Sequence, residues 1–264
     1  MPLTNKQLRA AHTLWDELAD FPASQIDGAL THLMNTLAGA LAGDDVVWVG
    51  AARLEDGPAA RRDPQNGWRG VVVEHLHMRP SIRALSRRAT VEQDTEPGLT
   101  TKALAAGAGR LRVHRLHDGF VDLAAFRRTQ HYRAFYEQAG ITDRMFIGFP
   151  LNADAESFLL IDRYRRNVRF SAADAEFVRY IMRGLKWFHR ELMLSHGLLL
   201  AAAPLSATER RIAHLLLTSH KESQIAAALD QSPKTTHKYV TEILRKFGVK
   251  GRTGLMALWL HRQM

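Results

Sequence analysis

Apolar residues recur every three or four positions along parts of the chain and alternate with polar ones along others. These two periods divide it into elements. Lys6–Ala19 and Ser24–Gly43 predict two helices; in the second, Ile26, Leu30, Leu33, Leu37 and Leu41 share one stripe. Val46–Leu54 and "WRGVVVEHLH" predict strands, separated by "DGPAARRDPQNG", a loop dense in turn formers. "SIRALSRRATVEQD" predicts a short helix, Glu96–Gly119 a loop with weak helix, and "AAFRRTQHYRAFYEQAG" a helix ended by Gly140. "RMFIGFPLN" and "SFLLIDRYR" alternate like strands and flank the polar "ADAE", which predicts a hairpin. Ser171 with Asp174 then opens one long helix to about Ser195, carrying Phe177, Ile181, Leu185, Phe188 and Leu192 on one side. Helices, antiparallel strands and a hairpin make residues 1–196 an α+β domain, most simply a sheet with helices on one face.

The pattern changes after Pro204. Residues 197–204 predict a linker, and 205–264 four short helices. Ser206 and Glu209 form a capping box before Ile212, Leu215 and Leu216. Ile225, Ala226 and Leu229 face inward from a second helix. Ser232 caps a third helix, Pro233–Phe247, and Pro233 sits where its missing N–H costs nothing. Val240, Ile243, Leu244 and Phe247 form its buried stripe, with Thr236 at the upper end. On its other side, at 100° per residue, Lys234, His237, Lys238, Thr241 and Arg245 fall together without a carboxylate.

Composition sharpens this picture at a few points. The 264 residues are enough for two domains. The absence of cysteine excludes disulfides, thiolate metal sites and cysteine nucleophiles, and fits a cytoplasmic, reducing location. No apolar run approaches the ~20 residues of a membrane span, and the N-terminus does not read as a signal peptide. The net charge is +9, and from Leu205 onward ten basic residues face four acidic ones. That surplus makes a polyanion the expected partner of the C-terminal part. A helix about 10–12 Å across fits a major groove of about 12 Å, where Lys and Arg neutralise phosphates or donate to guanine. The rival is a basic bundle that binds an acidic protein.

The order of these residues is more specific than their charge. "LSATERRIAHLLL", "SQIAAALDQSPKTTHKYVTEILRKFGVKGRT" and the spacing between them resemble the LuxR-type (NarL/FixJ, GerE-like) helix-turn-helix domain over about 60 residues. Leu205, Ser206 and Glu209 match its opening and Ile225, Ala226 and Leu229 its second helix. Ser232, Thr235, Ile243, Arg245, Lys246, Gly248, Val249 and Arg252 match the recognition helix and its exit. The sequence departs from the pattern at Ser219, Lys221, Gln224 and Tyr239, and at Gln231 and Thr236, where apolar residues are usual. The resemblance implies double-stranded DNA as partner. It gives base reading to His237, Lys238 and Thr241, and phosphate contacts to Lys234, Thr235, Arg245 and Lys246. It also implies a homodimer, with Leu255, Leu258 and Trp259 either at its contact or in the core.

For residues 1–196, three readings compete. A phosphoacceptor receiver needs an acidic pair after its first strand, but Asp44 and Asp45 precede it, and the parallel β/α alternation is missing. The acyl-homoserine lactone domain of quorum-sensing regulators has aromatics before an Asp-Pro. Asp63-Pro64 is present here without them. The segment from Arg144 to Leu185 is similar to the closing hairpin and exit helix of GAF/PAS-like sensor domains. That likeness implies a pocket between sheet and helices for a small molecule, with Trp48, Trp68, Phe146, Phe149 and Tyr164 as lining candidates or plain core aromatics. His75 and His77 share a strand face, with His114 or His117 within conceivable reach, but two histidines do not make a metal site. No catalytic motif and no cofactor motif is present, so a non-enzymatic regulator is the expectation.

Overall fold

The computed structural model describes residues 3–55, 57–77, 97–164 and 168–260. The helix expected over "SIRALSRRATVEQD" lies outside them. The chain divides into two compact units, Met1–Asp16 with Thr31–Lys186, and Glu17–Leu30 with Trp187–Met264. Two helices open the chain, α1 (Asn5–Ala19) and α2 (Ile26–Leu41), both close to the expected ranges.

The first unit is built on five antiparallel strands in the order β2-β1-β5-β4-β3. They are β1 (Asp45–Arg53), β2 (Trp68–His75), β3 (Arg112–Arg115), β4 (Asp143–Pro150) and β5 (Ala155–Arg163). The expected hairpin between β4 and β5 forms, with its turn two residues earlier because Ala155 and Glu156 already belong to β5, and Asn152 Oδ1 accepts the Asp154 N–H at 2.8 Å to tighten it. Register fixes which side chains share a face. Trp48 pairs with Leu159, Leu159 with Ile147 and Ile147 with Val113, so these four point one way. Asp45 pairs with Asp162 and Asp162 with Arg144, and these three point the other way.

Helical segments lie against both faces, not one. On the Trp48 face, a Cβ at Gly43, just past α2, would press into Ile161. On the opposite face α4 (Leu99–Ala106) brings Ala105 against Ala51 and Trp68. Beside it, α5 (Leu123–Arg128) and the turns that follow bring Phe126, Phe135 and Tyr136 against Phe146.

Four local departures from the periodicity have physical causes. A short helix, α3 (Gly57–Arg62), occupies part of the expected loop. The strand β3 escaped notice because Val113 is its one apolar residue, set among Arg112, His114 and Arg115. Arg112 is nevertheless buried, its guanidinium gripping Glu156 at 2.6 and 3.0 Å. The helix expected over 124–140 is broken at Thr129, whose hydroxyl accepts the Tyr132 N–H at 3.1 Å and starts a new turn. That turn widens into a π-helical one at Arg133–Glu137. The long exit helix is two, α6 (Ala172–Arg183) and α7 (Lys186–Ser195). At the break a Cβ on Gly184 would enter the Trp15 indole, and Trp15 Nε1 donates to the Ile181 carbonyl at 3.0 Å. The Ser171–Asp174 capping box of α6 forms as expected.

In the second unit, residues 197–204 fold back rather than run free. Gly197 takes φ +68°, the left-handed value a C-terminal glycine permits. Leu205 N–H then bonds the His196 carbonyl at 2.9 Å, and Ala202 N–H the Lys246 carbonyl at 2.8 Å. Four helices follow: α8 (Ala207–Leu216), α9 (Glu222–Ala228), α10 (Pro233–Phe247) and α11 (Gly251–Trp259). Ile212, Ile225, Val240, Ile243, Phe247, Leu255 and Trp259 fill their core. Among the described residues, no helix is long and apolar enough to cross a membrane.

Candidate nucleic-acid interface and buried cavity

The helix α10 begins at Ser232, whose hydroxyl accepts the Thr235 N–H at 3.1 Å. Asp230 takes φ +51° in the turn before it, a conformation that Asp tolerates better than most residues. One side of α10 is buried through Thr236, Val240, Ile243 and Phe247. The two polar departures from the family pattern satisfy each other, since the buried Thr236 hydroxyl donates to Gln231 Oε1 at 3.3 Å. At the start of α9, Gln224 Oε1 accepts the Lys221 N–H at 2.8 Å and so satisfies the first turn of the helix.

Lys234, Thr235, His237, Lys238, Thr241 and Arg245 are all exposed on the other side. The expectation that this face lacks carboxylates needs correcting. His237 Nδ1 lies 3.0 Å from Glu222 Oε2, and Arg245 makes two bonds to Glu242 at 2.9 and 2.5 Å. The bonds from Arg245 hold the Glu242 carboxyl below its usual range. All four side chains stand in water, where such pairs exchange readily for a stronger anion. Thr241 donates to the His237 carbonyl at 2.9 Å, which leaves its oxygen lone pairs outward. Lys246 is placed differently from the other cations. Its ammonium donates to Glu209 Oε2 at 2.8 Å and to the Pro204 carbonyl at 3.0 Å, and it tethers α10 to the start of α8. On α11, Leu255 and Trp259 are core residues, and Trp259 meets Phe247 edge-on at 5.8 Å. The exposed apolar side chains here are Met256 on α11 and Leu260 just past its end.

In the first unit a cavity of about 280 Å³ lies on the Asp45 face of the sheet. Val47, Val49, Ala51, Leu104, Phe135, Phe158 and Leu160 give it apolar walls. Of the five aromatic candidates, Trp68 and Phe146 line it. Trp48 and Phe149 do not, because strand alternation turns them to the opposite face, where Trp48 Nε1 donates to Ser157 Oγ at 2.8 Å. Tyr164 packs beside the Phe126–Tyr136 cluster, outside the lining. Asp63 does not line the cavity either. Its carboxylate is used within its own turn, by Gly67 N–H at 2.6 Å and Arg69 at 2.8 Å.

One end of the cavity is polar, and sequence reasoning missed it. Asp162 and Arg144 form a two-bond pair at 2.5 and 2.7 Å, with the Arg144 guanidinium 4.9 Å above the Tyr136 ring. Burial alone would lower the Arg144 pKa, but the Asp162 charge holds it up. Asp45, fully buried, sits on the next strand; its Oδ1 accepts the N–H groups of Val46 and His77 at 2.8 and 3.0 Å. Burial raises the Asp45 pKa, and burial lowers that of His75, which lines the same end. The available signal was one charged residue on each of three strands at matching rungs of otherwise apolar runs. His75 and His77 belong to no metal cluster: the described residues contain no group of three or more His, Cys, Asp or Glu placed to hold an ion.

Residues 203–259 match the family described as bacterial regulatory proteins, luxR family, so this stretch is a helix-turn-helix domain of that type. A comparison with curated proteins found no match. SdiA in complex with octanoyl-rac-glycerol is similar over 100% of both chains, at 13% identity and TM-score 0.51, which shows a shared fold. Escherichia coli SdiA in space group P6522 is similar over 95% of each chain, at 15% identity and TM-score 0.45. The VqsR LBD domain from Pseudomonas aeruginosa covers 72% of this chain and 98% of its own, at 13% identity and TM-score 0.47.

Proposed function

We propose that this chain is a non-enzymatic transcriptional regulator that binds double-stranded DNA in a sequence-specific way through α10 and is controlled by a small molecule in the cavity of its first unit. The observation that carries the reading is the exposed side of α10, with Lys234, His237, Lys238, Thr241 and Arg245 presented together inside a luxR-family domain. Lys234, Thr235 and Arg245 contact phosphates, and His237, Lys238 and Thr241 reach base edges. Lys246 serves by tethering α8 to α10. The chain acts as a homodimer, because one short helix reads few base pairs and two half-sites raise the discrimination. Met256 on α11 and Leu260 just past it are exposed apolar side chains suited to that contact. The first unit acts as a GAF/PAS-like sensor, with its ligand between the antiparallel sheet and the segments around α4. SdiA, which shares the fold, is described in complex with a small amphiphile, which supports the cavity as a ligand site.

The test is selection of bound fragments from a random duplex pool by the full chain. The expected result is one enriched motif, and His237→Ala with Lys238→Ala flattens that enrichment. Retention of DNA without any motif, or an unchanged motif in the double variant, contradicts the base-reading roles.

A further inference from the structure

The polar end of the cavity has an uneven charge balance. Asp45, Asp162 and Arg144 share one face at successive strands. Both oxygens of Asp162 are taken by Arg144. Asp45 has only one oxygen engaged, by backbone N–H groups, and its Oδ2 finds no donor among the described residues although the side chain is fully buried. Asp45 is among the residues that line the cavity, and a buried carboxylate oxygen without a donor is costly, a cost that a hydrogen-bonded counter-charge relieves. The Arg144 charge is already balanced by Asp162, so the row as a whole is one negative charge in excess.

Resting on the sensor reading above, we propose that the cavity takes a cationic amphiphile: a protonated amine donates to Asp45 Oδ2, and an apolar body lies along Val47, Val49 and Phe158. An ammonium suits the position for three reasons. It carries donors and no acceptor, so it matches an oxygen that can only accept. A charge-assisted bond of this kind is stronger than one from a neutral hydroxyl. A carboxylate head is repelled by Asp45, whose charge no described cation balances. Tyr136 and His75 border the same end, and their rings can shield the head group from water. The chain's net charge of +9 offers no nonspecific attraction for a cation, so selective uptake must come from the site.

The experiment is calorimetric titration of the full chain at neutral pH with octylamine, octan-1-ol and octanoate, three probes with one tail length. Octylamine is expected to bind at one site at least tenfold more tightly than octan-1-ol, with octanoate weakest. Asp45→Asn retains an oxygen for the Val46 and His77 N–H groups and should bring octylamine to the level of octan-1-ol. Val49→Trp fills the apolar part and should abolish binding of both. If Asp45→Asn fails to fold, the ranking in the unmodified chain and the Val49→Trp result decide. The proposal is overturned by an alcohol or carboxylate that binds as tightly as the amine, by no amine binding at all, or by an amine preference that survives in a folded Asp45→Asn. Duplex binding by the same preparations separates the two readings. A chain that selects a DNA motif but prefers octan-1-ol keeps the regulator and loses the amine; Asp45-dependent amine binding without duplex binding does the reverse.

Discussion

Glu209 holds the start of the helix-turn-helix domain together from three directions. Its carboxylate accepts the Ser206 N–H at 2.7 Å, its own N–H bonds the Ser206 hydroxyl at 3.3 Å, and Lys246 reaches it at 2.8 Å. Burial pushes its pKa up, but the bonds from Lys246 and Ser206 outweigh that and hold it below the usual range. The tether separates Lys246 from the other basic residues of α10. Lys246→Met should lower stability by about 1–3 kcal/mol, because it leaves a nearly buried carboxylate without its partner. The same substitution should barely alter how duplex affinity depends on salt. Urea unfolding alongside duplex titration checks this. A Lys246→Met protein of normal stability with a flatter salt dependence would return Lys246 to the phosphate contacts. Neither role could be told apart from sequence, since a lysine in the last turn of a basic helix looks the same whichever way it points.

Among the elements, those with one clean period were legible and those whose periodicity is interrupted were not. The helices α1, α2 and α10 and the hairpin β4–β5 emerged near their true ends because one stripe or one alternation runs through each. The Ser171, Ser206 and Ser232 caps were also readable, as each depends on residues within one turn. The strand β3 was hidden because Arg112 buries its charge on Glu156, a residue 44 positions away. The break between α6 and α7 was hidden because it is made by Trp15, 169 positions before Gly184. The exposed basic side of α10 was legible for the same local reason as the caps: all its residues lie on one helix. The polar end of the cavity was not, because Asp45, Arg144 and Asp162 meet only through strand pairing that periodicity does not specify.

For the molecule as a whole, buried histidines set a direction for stability against pH. Burial lowers His189 to about 3 and His196 to about 4, and both lie in the second unit. In the unfolded chain each takes up a proton near pH 6.5, whereas in the folded chain each stays neutral. The unfolded state therefore binds more protons below that value, and stability falls as pH drops from about 7 toward 4. Each histidine contributes on the order of 2 kcal/mol of loss by pH 5. Asp45 and Glu191, raised by burial, act in the opposite sense at lower pH. Thermal unfolding between pH 7 and 5 should show the decline, and His189→Phe should lessen it. A midpoint that is flat over that range would contradict the burial of these rings.

The regulator reading depends on α10 lying within a duplex with its charged side against phosphates. The most direct measurement is the affinity of the full chain for its selected duplex across salt concentration, with and without Lys234→Ala. Each phosphate neutralised contributes about −0.9 to the slope of log affinity against log salt. Affinity should fall steeply with salt, and Lys234→Ala should reduce the slope by about 1 for each copy of the domain bound. An affinity indifferent to salt, or a slope that Lys234→Ala leaves unchanged, would contradict the placement of this helix on DNA.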